Sequence, residues 1–123
     1  MKTTRQVLDK AIPENKFLDQ VFSLAHTLGW RVVHFRPARV LENGVETWRT
    51  AGQGDIEGYP DILALKGKRL VVMELKSEDA PGATKEQLAW LGAFHEVGAE
   101  THVARPSDWL AILKVFDLEG RLK

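Results

Sequence analysis

The chain has 123 residues, 44% hydrophobic and 28% charged, a balance that excludes a disordered polymer and suits a folded α/β protein. Seventeen basic residues offset seventeen acidic ones, so a uniformly basic nucleic-acid coat is excluded and any phosphate-binding surface must be a local patch. The lack of cysteine excludes disulfides, thiolate metal sites and a cysteine nucleophile, and no apolar run approaches the roughly 20 residues of a membrane span.

A chain of this length is expected to form one domain, residues 1–123, burying roughly two-thirds of its unfolded surface. MKTTRQVLDK at the start lacks the apolar stretch of a secretory signal, which fits a cytoplasmic address. Pro13 suits a first helical turn and Gly29 a stop, so a helix is expected over 13–28 with Phe17, Val21, Leu24 and Leu28 as its apolar stripe. Glu14 lies three residues before Phe17 on that stripe, and should face the core or the rim of a cleft. WRVVHF (30–35) reads as a strand ended by Pro37. Asn43-Gly44 signals a small hairpin, with Val40-Leu41 before it and Val45 to Trp48 after, and the glycine-rich 51–60 stretch reads as loop.

DILAL (61–65) and RLVVMELK (69–76) form the strongest hairpin signal. Pro81 and Gly82 then mark a loop. Thr84 with Gln87 makes a capping box for a helix running to Val97 and stopping at Gly98. Thr101 to Ala104 reads as a strand, and Ser107 is the expected cap of a last helix ending near Phe116. The expected architecture is a mixed sheet flanked by helices, in the order α-β-β-β-α-β-α, with the small hairpin inserted.

The chemistry lies in the register of the 61–76 hairpin. With Gly67 and Lys68 as turn residues, Lys66 faces Arg69 and Asp61 lands opposite Glu74, their Cβ atoms about 5 Å apart. Alternation projects Lys76 from the face of Glu74. Two opposed carboxylates destabilise a hairpin unless something neutralises them, and carboxylate oxygens with water suit magnesium or manganese. The plain alternative is a charged edge strand that aids solubility. Against it, Glu74 and Lys76 interrupt the most apolar run of the chain, where an unpaired charge is costly.

GYPD (58–61) followed by ELK (74–76) resembles the PD-(D/E)xK nuclease signature. More narrowly, the chain resembles the VRR-NUC family over residues 14–116. The likeness takes in Glu14 with Phe17 and Val21, LGW (28–30), HFRPAR (34–39), GYPDILAL, VMELKS, TKEQLAWL (84–91) and ARPSDW (104–109). It implies a restriction-endonuclease-like core and Mg2+- or Mn2+-dependent hydrolysis of DNA phosphodiesters. Asp61 and Glu74 would be metal ligands, with the backbone carbonyl of Leu75 as a third. Lys76 would be the catalytic lysine, Glu14 would act through a water or a second ion, and Gln87 would contact the attacking water or the DNA backbone. Stand-alone members resemble Holliday-junction resolvases, so a homodimer acting on branched DNA, in repair or in a phage-infected prokaryotic host, is the implied setting. A flap or nicking nuclease, and a non-catalytic nuclease-like DNA-binding module, are the alternatives.

His34, Arg36, Arg39, Arg49 and Lys85 are the candidate DNA contacts, with Arg31, Lys66, Lys68 and Arg69 as further cations around the acidic cluster; scattered surface charge is the competing reading for each. His26, His34, His95 and His102 lack zinc-site spacing, and His26 and His95 are expected on helix surfaces. Gly52, Gly54 and Gly58 match neither GxGxxG nor GxxxxGK[ST], and there is no GxSxG. Trp90 and Trp109 are expected in the core, Trp48 in the open.

Overall fold

A computed structural model of the chain describes residues 12–35, 38–49 and 53–117, with 38–42 and 46–49 described by their backbone alone. Helix α1 (Glu14–Thr27) begins directly after Pro13, whose extended backbone and carbonyl receive the N–H groups of Lys16 and Phe17 at 3.1 and 3.0 Å. Pro13 is therefore the cap rather than a member of the first turn. The helix ends at Leu28, and Gly29 takes a φ of +90° that reverses the chain into β1 (Arg31–His34).

Asn43 and Gly44 both adopt positive φ, 50° and 79°, as a two-residue hairpin turn between twisted strands requires. They join β2 (Ala38–Glu42) to β3 (Val45–Arg49) in a two-stranded sheet of their own. The remaining strands, β4 (Ile62–Lys66), β5 (Arg69–Leu75) and β6 (Glu100–Ala104), build a mixed sheet with β1 in the order β1-β4-β5-β6. The β1–β4 and β4–β5 pairs are antiparallel and β5–β6 is parallel. Lys66 faces Arg69 and Ile62 faces Met73, the register expected of a Gly67-Lys68 turn.

Alternation along β4 and β5 divides the core in two. Ile62, Ala64, Val71, Met73 and Leu75 pack against Phe17, Val21 and Ala25 of α1 and against Ile112 and Phe116 near the C-terminal end. On the opposite face Val72, Leu63 and Leu70 meet Leu91 and Phe94 of α2 (Lys85–Glu96), together with Ala99. With helices on both sides, all five residues from Val71 to Leu75 are buried, which is why RLVVMEL reads as an almost unbroken apolar run. Thr84 and Gln87 form the expected capping box of α2.

The last helix starts later than its cap signal suggested. Pro106–Asp108 form a 3-10 turn, and α3 spans Trp109–Phe116. Ser107 does not cap it, because it lies inside that turn, one residue before the cap position at Asp108; its backbone N–H donates to the Glu78 carboxylate at 3.1 Å. The Asp108 carboxylate instead receives the Arg105 N–H at 2.9 Å, closing the turn that proline opens. Among the described residues, no helix is long and apolar enough to cross a membrane.

Candidate functional site

The antiparallel ladders continue one step past their last strand pairs. Phe35 N–H donates to the Asp61 carbonyl at 3.2 Å, so Phe35 lies opposite Asp61 across β1 and β4. The β4–β5 register sets Asp61 opposite Glu74, and Glu74 is paired with Val103 on β6. Phe35, Asp61, Glu74 and Val103 thus make one row across the sheet. Its two acids lie at the ends of the two central strands, which overturns the alternative of a charged edge strand.

Asp61 reaches across to β5, where its Oδ2 accepts the Leu75 N–H at 2.7 Å. Glu74 is only 3% exposed. Its Oε1 accepts from the Gln87 side-chain amide at 3.1 Å, whereas its Oε2 is buried with no hydrogen-bond donor. Burial, then the Asp61 charge and a hydrogen bond between the two carboxyl groups, push the Glu74 acid up to about 9, while Lys76 pulls the other way. Buried beside a second carboxylate, Glu74 thus holds its proton far above the usual carboxylate range.

Glu14, Phe35, Glu57, Tyr59, Asp61, Glu74 and Gln87 are among the residues lining one cavity of about 460 Å³. Glu14, in the first turn of α1, stands at the rim of this cleft as its place on the stripe implied. Burial and then the charge of Asp61 raise its proton affinity, again opposed by Lys76. Lys76 is half-buried just past β5, and its N–H donates to the Ala104 carbonyl at 2.9 Å. Among the described residues no three or more histidine, aspartate and glutamate side chains form a ready-made metal cage. The acids form a tight pair with Glu14 as an outlying third.

Gln87 owes its orientation to the capping box. Its Oε1 accepts the Thr84 N–H at 2.8 Å, which turns the NH2 group toward Glu74. Gly58 brings the GYPD segment against this helix start. A Cβ there would lie 2.6 Å from the backbone carbon of Glu86 and 2.7 Å from the Gln87 nitrogen, and its φ is +78°. Only glycine fits both the conformation and the approach.

Of the expected cationic residues that are described, those of the hairpin turn lie away from this cleft. Lys66, Lys68 and Arg69 occupy the turn end of the hairpin, five residues along β4 and therefore about 17 Å from Asp61. Lys66 Nζ donates to the Leu28 carbonyl at 2.8 Å. Arg69 forms a two-pronged ion pair with Glu100 at 2.6 and 2.7 Å, bonds the Val115 carbonyl at 2.9 Å and lies over the Trp30 ring. Arg31 faces Leu65 at that same far end. His34 is half-buried with its ring 4.8 Å edge-on from Phe22, and its Nδ1 is buried. Lys85 is exposed at the start of α2. Arg36 lies outside the described residues, as do the side chains of Arg39, Trp48 and Arg49. His26 and His95 are on helix surfaces as expected, while Trp109 packs half-buried against the larger core.

Two features escaped the sequence reading. Arg105 Nη1 donates to the carbonyls of Ser77 at 2.6 Å and Glu78 at 3.1 Å, stitching down the segment that follows Lys76. Its place in ARPSDW was visible, but not its partner some 28 residues earlier. Phe35, Tyr59, Trp90 and Phe94 form a chain of ring contacts leading away from the acids, with Phe35–Tyr59 centroids 5.2 Å apart and Tyr59–Trp90 4.9 Å. The Trp90 indole N–H donates to the Asp55 carbonyl at 2.9 Å, tying the glycine-rich loop to α2. No protein-family model, curated protein or solved structure matches this chain.

Proposed function

We propose that the chain is a magnesium- or manganese-dependent endodeoxyribonuclease with a restriction-endonuclease-like core of the VRR-NUC type, selective for branched DNA. The observation that carries this reading is the Asp61–Glu74 pair, with a buried Glu74 oxygen lacking any donor inside a cavity that also holds Glu14 and Gln87. Such a pair suits a hard divalent ion, because that ion prefers carboxylate oxygens and would replace the proton the two groups otherwise hold. Asp61 and Glu74 would hold it, with the Leu75 carbonyl completing the protein's share. When bound, the ion would supply positive charge to a phosphoryl oxygen and make water a better nucleophile.

The chain's own groups do the rest. Gln87 holds Glu74 in place. Glu14, with its raised proton affinity, accepts the proton of the attacking water. Lys76, whose charge acts on both Glu14 and Glu74, orients that water and stabilises charge growing on the phosphoryl oxygens. The water oxygen bonds to phosphorus as the bond to the 3′ oxygen breaks, and the departing 3′ oxygen takes a proton from solvent, leaving 5′-phosphate and 3′-hydroxyl ends. A homodimer would present two such sites to a four-way junction.

The test is incubation of the purified protein with plasmid and four-way-junction DNA in magnesium, manganese or EDTA. Cleavage is expected with either ion, with paired symmetric nicks on the junction, and none in EDTA or with Asp61→Ala or Lys76→Ala protein. Undiminished cleavage by either variant refutes the assignment. Metal binding has an independent readout: terbium bound beside Tyr59 should show sensitised luminescence that Asp61→Ala removes.

A further inference from the structure

Phe35 occupies a costly position. It is 41% exposed at the end of β1, and it stands in the row of the acid pair, directly opposite Asp61. Neighbouring strands are about 4.8 Å apart, so its ring lies one strand from the carboxylate that would hold the reacting phosphate's ion. The ring is also braced: Tyr59 meets it edge-on, and Tyr59 is itself held between Trp90 and Phe94. Ile56, 40% exposed, lines the same cavity. Phe35, Tyr59 and Ile56 therefore give one apolar, aromatic side to a cavity whose floor is Asp61 and Glu74 and whose remaining rim includes Glu14 and Glu57.

We infer that Phe35 is a stacking platform for an unpaired nucleobase adjoining the scissile phosphate, so that the strand is cut where it is single-stranded or splayed. This inference rests on the nuclease reading and names its substrate class. A phosphate is covalently tied to a sugar and base whose dimensions match one or two strand spacings, so fixing phosphate at Asp61 and Glu74 delivers a base to the position of Phe35. A base inside an intact duplex already has both faces stacked and offers none to the ring. An unpaired base has a free face, and an aromatic side chain receives any of the four bases. The bracing by Tyr59 lowers the entropy lost on stacking, because the ring has little freedom left to lose.

The test uses full-length protein with calcium in place of magnesium, to hold cleavage off. Binding of a fluorescent single-stranded oligothymidylate and of a blunt duplex of the same length is measured for the parent, Phe35→Leu and Phe35→Trp proteins. Leucine keeps apolar bulk without a π-face, whereas tryptophan enlarges that face. The parent should favour the single strand, Phe35→Leu should lose that preference by on the order of tenfold, and Phe35→Trp should retain it. Equal weakening of both DNAs by Phe35→Leu, or no change in either, overturns the inference and returns Phe35 to packing. Terbium luminescence reports separately on the acid pair. A normal terbium signal with no strand preference defeats the stacking role alone, whereas cleavage that does not depend on Asp61 defeats the site assignment on which that role rests.

Discussion

The two ends of the β4–β5 hairpin are built on opposite electrostatic plans. At the turn end, Arg69 meets Glu100, Val115 and Trp30, and Lys66 meets the end of α1. Each partner there has the complementary sign or polarity, so the charges stabilise what they touch. At the other end, the same two strands bring Asp61 and Glu74 together with a buried oxygen that has no donor. One end is satisfied by the fold; the other is completed only by a proton or a cation. Charge that the fold satisfies supports stability, and charge that it leaves unsatisfied marks chemistry.

That contrast breaks most directly by substitution at both ends. Lys76→Ala should lower cleavage by about 100- to 1000-fold, the scale on which a single electrostatic contact to a transition state acts, without lowering the melting temperature, and Asp61→Asn, which keeps an acceptor for the Leu75 N–H, should do the same. Arg69→Ala should do the reverse. It removes the ion pair with the part-exposed Glu100 and the bond to the Val115 carbonyl, costs about 1 kcal/mol and lowers Tm by a few degrees, while nuclease activity measured well below that Tm persists. If Arg69→Ala abolishes cleavage in a fully folded sample, the two ends are not separable.

Gly58→Ala is the next largest effect. Its methyl group would collide with the first turn of α2 at a backbone conformation that alanine disfavours, so a loss of about 1–3 kcal/mol is expected, read by denaturant unfolding. Cleavage should fall as well, because Asp61 and Gln87 are carried by the two segments that the glycine lets approach.

The acid end also has a pH signature. Folded Glu74 keeps its proton to about 9, whereas the unfolded residue releases it near 4.5. Between those values the folded chain binds the extra proton, so this contribution is complete below 4.5 and is lost as pH rises toward 9. In EDTA, Tm should fall over that window. Glu74→Gln should flatten the slope, and millimolar magnesium should oppose it by occupying the site in the folded state alone. A Tm in EDTA that climbs steadily to pH 9 would show that the carboxyl pair is not the dominant titrating feature.

Much of this was legible because short-range rules governed it. The Gly67-Lys68 turn sets the register, and the register sets Asp61 opposite Glu74. Thr84 and Gln87 announce the start of α2 by their spacing. What the sequence did not disclose depends on contacts between distant segments. Lys66 and Arg69 looked like neighbours of the acids, but strand length carries them to the far end. Ser107 had the right chemistry for a cap, yet it falls inside a 3-10 turn pinned to Glu78 of another loop, and the helix starts only after Asp108. Phe35 read as the tail of an apolar strand, and only the alignment of β1 on β4 sets it in the row of the acids.

The smallest and most discriminating effect concerns Gln87, which serves both the fold and the site. Its Oε1 caps α2 while its NH2 holds Glu74. Glutamate at the third helical position makes an equally good capping box, so Gln87→Glu should keep the helix cap. It should also replace the donor facing Glu74 with a fourth carboxylate, raising the proton affinity of the cluster and lowering kcat by on the order of tenfold at neutral pH. Gln87→Ala removes both functions and should add a capping loss of about 1 kcal/mol. Thermal melts beside kcat measured across a magnesium titration separate the two roles. If the glutamate variant matches the parent in both, the amide's bond to Glu74 does not hold the acid for catalysis, and the capping box alone accounts for Gln87.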